Sequence, residues 1–171
     1  MGGTAQIISK VENKEDLINL LNCAFAEEWL AYYQYWLGAF VAVGPQRKAI
    51  SAEFMEHANE ELDHATKLAS RIIELGGTPI LNPAEWQKTA KCKYDAPDKP
   101  YVINLLEQNL VAERCAIVRY QKICEMTESK DFATYQMSLD ILKDEIEHEE
   151  EIGAFKSDIE AQTRYQDGFQ G

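Results

Sequence analysis

The chain has 171 residues, 46% of them apolar, and a formal net charge of −12, enough for one compact domain with a sizeable core and too short to expect two. Such acidity makes the nucleic-acid backbone a poor partner, because that binding rests on Lys and Arg displacing counterions, whereas cations are attracted. No apolar run reaches the roughly 18 residues of a membrane span. The opening MGGTAQIISK has neither a secretory signal nor, with Gln6 where Ser or Thr is needed, a myristoylation pattern, so a cytoplasmic protein is expected.

Heptad-like apolar spacing recurs in four long blocks and strict alternation is rare, which predicts an all-α fold. The first helix is expected from an N-cap at Asn13 to about Val43, before the Gly44-Pro45 break. A second begins after Pro45 and stops at Gly76-Gly77. The following stretch to Pro100 holds four prolines and is too long for a hairpin, so it reads as a crossover. A third helix is expected from about Lys99 to Thr127 and a fourth from about Asp131 to about Ala161. The expected organisation is a single domain over 1–171, with an arm at 1–12, a bundle at about 14–160 and a polar tail at 161–171. Short connections make the first and last helix pairs antiparallel, and the crossover makes the middle two parallel.

Helical spacing gives each block an inward stripe that a charged residue interrupts. The first stripe is Leu17, Leu21, Ala24, Glu28, Ala31, Tyr35 and Gly38; the second is Ile50, Phe54, His57, Glu61, His64 and Leu68. The third is Leu106, Leu110, Glu113, Ile117, Tyr120 and Cys124, and the fourth Ser138, Ile141, Glu145, His148, Ile152 and Phe155. Glu147, Glu150 and Glu151 fall mostly outside that last stripe. Each intruding Glu lies about 14 or 15 residues into its expected helix, so all four fall at one height in the bundle. The halves also echo one another: Glu28 precedes Glu61-x-x-His64 by 33 residues and Glu113 precedes Glu145-x-x-His148 by 32.

Four carboxylates buried together are very unfavourable unless protonated or matched by cations, and two divalent metals balance them one for one. Carboxylate oxygens with one imidazole per metal suit iron or manganese, and such a ligand set is the one known in ferritin-like di-iron bundles. Chance Glu-x-x-His matches with solvated acids are the alternative. Two matches, two lone seam glutamates and equal heights argue against it.

At these residues the chain resembles the ferritin superfamily, above all bacterioferritin and the Dps-like group called thioferritins. E-W-L-A-Y-Y-Q-Y from Glu28 is similar to the bacterioferritin first-helix motif, and D-E-I-E-H from Asp144 to its last. The resemblance implies a four-helix bundle and six ligands, Glu28, Glu61, His64, Glu113, Glu145 and His148, for two irons per chain, with manganese or zinc as surrogates. It implies that Glu61 and Glu145 contact both metals. Tyr35 and Tyr120, each seven residues after a lone Glu, are candidates to hydrogen-bond a ligand or supply an electron, with plain core packing as the alternative. Glu60 and Asp144 are candidates to orient the opposite histidines through the second ring nitrogen. His57 reads as a core histidine flanking the site.

Bacterioferritin carries a haem-ligating Met just after the paired-motif Glu; Leu62 stands there, so haem is not expected at that position. Little chain remains for the fifth helix of 24-subunit cages, which favours a Dps-like dodecamer, and P-A-E-W-Q-K-T-A in the crossover is a candidate for the short helix that Dps subunits place there. None of the four cysteines forms a CxxC, so a zinc ribbon is unsupported and buried free thiols are the cytosolic default. The Dps-like group, however, carries a cysteine pair near its metals, which implies Cys92 with Cys115; unrelated thiols are the alternative. Cys23 and Cys124 read as core. The expected activity is Fe(II) oxidation by hydrogen peroxide or dioxygen with mineral storage, protecting against oxidative stress. A rubrerythrin-like or catalase-like di-metal peroxidase without storage is the rival, and DNA binding is not expected.

Overall fold

The computed structural model describes residues 3–168. A short helix α1 (Thr4–Ile8) in the N-terminal arm precedes four long ones: α2 (Lys14–Val41), α3 (Arg47–Glu74), α5 (Val102–Thr127) and α6 (Phe132–Gly168). A 3-10 turn (Pro83–Glu85) leads into the four-residue α4 (Trp86–Thr89) inside the crossover, where the short helix was expected. Among the described residues no helix is long and apolar enough to cross a membrane.

The boundaries have local causes. The Asn13 side chain accepts from the Asp16 N–H at 3.2 Å and caps α2. At the end of α3, Gly76 takes φ +88° and the N–H of Gly77 bonds back to the Ile72 carbonyl at 2.9 Å, a Schellman-type stop that a Cβ would strain. Helix α6 departs from expectation: the stretch from 161, expected as a polar tail, is helical to Gly168. Ala161 to Asp167 contain no helix breaker, and the Thr163 hydroxyl donates to the Ile159 carbonyl at 3.0 Å while Arg164 pairs with Glu160 at 4.0 Å, both across the expected end.

Topology follows from two backbone ties. Val43 and Tyr101 form a parallel bridge, so the end of α2 lies beside the start of α5. Lys10 N–H bonds the Lys130 carbonyl at 2.9 Å, bringing the start of α2 to the start of α6. The crossover therefore returns the chain along the bundle, and α3 and α5 run parallel, each packed against an antiparallel neighbour. The buried Arg71 guanidinium clamps the two halves through Asp131 at 2.8 Å and Thr134 at 2.8 Å.

The apolar core is split in two. One cluster gathers Leu17, Leu21, Leu68, Ile72, Ile123 and Ile141 at one end. The other gathers Ile50, Phe54, Val102, Leu106 and Ile152 at the opposite end. Between them the bundle carries the charged residues of the four stripes.

Candidate metal centre

The helical register brings all six candidate ligands together at this waist. Glu28 comes from α2, Glu61 and His64 from α3, Glu113 from α5, and Glu145 and His148 from α6. Each is no more than 2% exposed. They form two overlapping groups, Glu28-Glu61-His64-Glu145 and Glu61-Glu113-Glu145-His148, each with donor atoms within 4.8 Å of one another. Glu61 and Glu145 belong to both.

Both imidazoles turn Nδ1 inward. His64 Nδ1 lies 3.2 Å from Glu145, 3.3 Å from Glu61 and 3.6 Å from Glu28. His148 Nδ1 lies 3.6 Å from Glu61, 3.6 Å from Glu145 and 3.8 Å from Glu113. The outer nitrogens meet carboxylates across the helix pair: His148 Nε2 is 2.7 Å from Glu60, and His64 Nε2 is 3.1 Å from Asp144. Such contacts fix ring orientation and leave Nδ1 as the inward donor.

The two phenols make a reciprocal pair. Tyr35 of α2 donates to Glu113 of α5, and Tyr120 of α5 donates to Glu28 of α2. Burial, then the adjacent Glu113 or Glu28 carboxylate, pushes both phenols well above their usual range, so they remain protonated donors.

The charge arrangement fits divalent cations. Burial and the neighbouring Glu145 and Glu28 carboxylates raise Glu61 well above the ordinary range. Burial pushes Glu113 up to about 7 against the pull of His148. Burial opposes charge on both histidines, yet the surrounding carboxylates override it and raise them above the usual imidazole range. Among the described residues Glu61 Oε1, both oxygens of Glu145 and His148 Nδ1 have no partner in hydrogen-bonding geometry. Buried polar atoms without partners are costly. Here they converge on common points where each group could hold one ion, and two divalent ions would match four carboxylates.

Two cavities reach this waist. One, about 250 Å³, opens between α3 and α6 and is lined by six carboxylates, Glu53, Glu56, Glu60, Asp144, Glu147 and Glu151, with His57 and His148. His57 is buried, as a core histidine would be, but its ring stacks on His148 at 4.1 Å and its Nε2 meets Glu151 at 2.9 Å. The other, about 670 Å³, lies under the crossover and is bounded by Glu28, Glu61, Glu113 and Glu145 on the inside and by Lys91 to Asp95 outside.

Sequence reasoning missed Glu27. Its carboxylate is 8% exposed and accepts from Arg119 at 2.8 and 3.1 Å and from the N–H groups of Lys91 and Cys92 at 2.8 and 3.2 Å. It fastens the crossover to the bundle beside Glu28. No spacing marks it, since its partners lie far along the chain. Cys92 and Cys115 are joined as a disulfide with Cα atoms 6.1 Å apart, while Cys23 and Cys124 are buried free thiols.

Residues 18–161 match the family described as the ferritin-like domain. The chain belongs to the ferritin family. Within it, the Dps-like branch is shown by 41% identity over 138 residues, 79% of this chain and 74% of the relative, to the DNA protection during starvation protein of Pyrococcus furiosus. The dodecameric thioferritin of Bacteroides fragilis, a bacterioferritin-related protein, superposes with a TM-score of 0.91 at 44% identity, covering 95% of this chain and 96% of that one. A ferritin-like, diiron-carboxylate protein of Bacillus anthracis gives a TM-score of 0.75 at 27% identity, covering 85% of this ferritin and 98% of its own chain.

Proposed function

We propose that this ferritin is a cytoplasmic ferroxidase: it binds two Fe(II) per chain at Glu28, Glu61, His64, Glu113, Glu145 and His148 and oxidises them with hydrogen peroxide or dioxygen. The observation that carries the reading is the pair of buried donor groups sharing Glu61 and Glu145, in which Glu61 Oε1, both Glu145 oxygens and His148 Nδ1 lack a hydrogen-bond partner among the described residues. Iron is the substrate, and the balanced step with peroxide is 2 Fe(II) + H2O2 + 2 H+ → 2 Fe(III) + 2 H2O. Holding two one-electron donors together allows both electrons to pass without release of a hydroxyl radical.

The protein's part is positional. Glu61 and Glu145, which belong to both groups, would contact both ions, and His64 and His148 would each serve one, with rings steered by Asp144 and Glu60. Tyr120 and Tyr35 each hold one oxygen of Glu28 and Glu113 and leave the other free for iron. The acidic cavity between α3 and α6 attracts Fe(II). Manganese or zinc would bind as surrogates.

Assembly into a homo-oligomeric cage, a dodecamer like the Bacteroides fragilis relative, is part of the proposal. Tyr33, Trp36 and Phe40 form an exposed aromatic ridge along α2, with Trp36 and Phe40 ring centres 5.2 Å apart, a surface that a second copy would cover. Protection is taken to be chemical, through removal of iron and peroxide and storage of Fe(III), because the net charge opposes contact with DNA.

The test is anaerobic Fe(II) titration of the wild type and of the Glu61→Ala, His148→Ala double variant, followed by oxidation with peroxide or dioxygen. Two tightly bound irons per chain, fast oxidation, and loss of both in the variant are expected, with ferric iron co-eluting with the particle. Unchanged binding and oxidation in the variant would remove these residues from the reaction. Rapid peroxide consumption without iron retained in the particle would favour the peroxidase rival.

A further inference from the structure

We propose that Cys92 and Cys115 are a reversible dithiol–disulfide couple that reduces hydrogen peroxide inside the large cavity, a second activity that needs no metal. The disulfide joins the crossover to α5, and both residues are half-buried in the wall of the 670 Å³ cavity that also reaches Glu28, Glu61, Glu113 and Glu145. The carboxylates lie deep and the sulfurs lie shallower. A small oxidant that enters from the crossover side meets the sulfurs on its way.

The pair is built to survive reduction. Cys115 sits mid-way along α5, whose backbone needs no crosslink. On the other side the backbone around Cys92 is held by Glu27, which accepts from the Lys91 and Cys92 N–H groups and is itself gripped by Arg119. Just upstream, Ala90 is 1% exposed and Trp86 stacks on Trp29 at 5.0 Å. Opening the S–S bond therefore leaves two thiols side by side, the arrangement that a reversible couple requires and a structural staple does not.

The surroundings assign roles. The Glu27 carboxylate lies within 4.8 Å of both sulfurs and is paired with Arg119. Cys92 sits on the crossover, at the outer wall of the cavity, and Cys115 on the helix behind it, so Cys92 is the first sulfur an entering oxidant meets and the attacking one, reacting as its thiolate. The Cys92 thiolate attacks one peroxide oxygen, the O–O bond breaks, and hydroxide leaves and is protonated to water, giving a sulfenic acid. The Cys115 thiol then attacks that sulfur, the S–S bond forms, and a second water leaves. The sum is R(SH)2 + H2O2 → RSSR + 2 H2O, with both electrons from sulfur. A small dithiol reductant restores the pair by exchange.

The full-length protein, stripped of metal by a chelator, reduced and desalted under argon, is exposed to one equivalent of hydrogen peroxide, and alkylatable cysteines are counted by mass spectrometry over time. Cys92 and Cys115 are expected to disappear together, at least about tenfold faster than free cysteine at the same pH, while Cys23 and Cys124 remain. In Cys115→Ser, checked for native helicity by circular dichroism, dimedone should label Cys92 as a trapped sulfenic acid. Oxidation no faster than free cysteine, or dimedone on other residues of the folded variant, overturns the proposal. No iron is present, so failure here leaves iron oxidation at the waist untouched, and the reverse also holds.

Discussion

Removing the carboxylate of Glu60 tests how much of the metal affinity is set by residues that never touch the metal. Glu60 Oε2 lies 2.7 Å from His148 Nε2, and the matching contact in the other half, Asp144 to His64, is longer at 3.1 Å. Outer partners of ligating histidines are worth about 10–100-fold in affinity. Both carboxylates are nearly half exposed, at 49% and 44%, so solvent screens the contact and the lower end applies. Glu60→Ala should therefore weaken the ion held by His148 about tenfold, or about 1.4 kcal/mol. Asp144→Ala should cost less because its contact is longer. Glu60→Gln keeps an acceptor oxygen and should recover most of the loss. Competitive titration with Zn(II) against a chromophoric chelator resolves the two ions, with Fe(II) as an anaerobic check. If Glu60→Ala leaves both affinities within twofold of wild type, or weakens both ions equally, the ring of His148 is held by its packing against His57 and the argument fails.

Other outcomes follow from the same geometry. Metal binding must displace protons: burial pushes Glu113 up to about 7, and the surrounding carboxylates raise both histidines above their usual range. Affinity should therefore rise with pH and fall at least about tenfold from pH 7 to pH 6, with protons released into weak buffer on Zn(II) addition; a flat profile would contradict the charge assignment. Tyr35→Phe leaves Glu113 without its phenol donor, which should cost the metal-free protein about 1–3 kcal/mol, read as a lowered denaturant midpoint. Asp131→Ala leaves the buried Arg71 with the more exposed Glu74 as its remaining anionic partner and should cost about 3 kcal/mol, the lower end for a broken buried pair. Burial opposes charge on Asp131, but the Thr134 N–H and Arg71 lower it overall. A depressed carboxylate stabilises the fold above its unfolded value, so the wild type should lose this stability only as pH falls below about 4, and the variant should show no such acid-dependent loss from this site.

Much of the site was legible because helix register is local. A Glu at position 28 faces inward if Leu21 and Ala24 do, and nothing beyond the 3.6-residue repeat is needed to say so. The same rule put Glu61 beside His64 and Glu145 beside His148, and equal distances from the helix starts put all of them at one height. The crossover was legible from its prolines, and so was the short helix within it. The extra turns of α6 were not, because a polar stretch without breakers reads equally as tail or helix until an ion pair such as Glu160–Arg164 is placed.

What the sequence alone determined is which residues each helix turns inward and that four acids and two histidines share one level. Tertiary structure decided who faces whom. Tyr35 donates to Glu113 and not to its own Glu28, His148 leans on Glu60 from another helix, and Glu27 reaches Arg119 across 92 positions to hold the crossover over a cavity. These are through-space relations, set by how side chains of separate helices interlock, and a one-dimensional period carries no information about them.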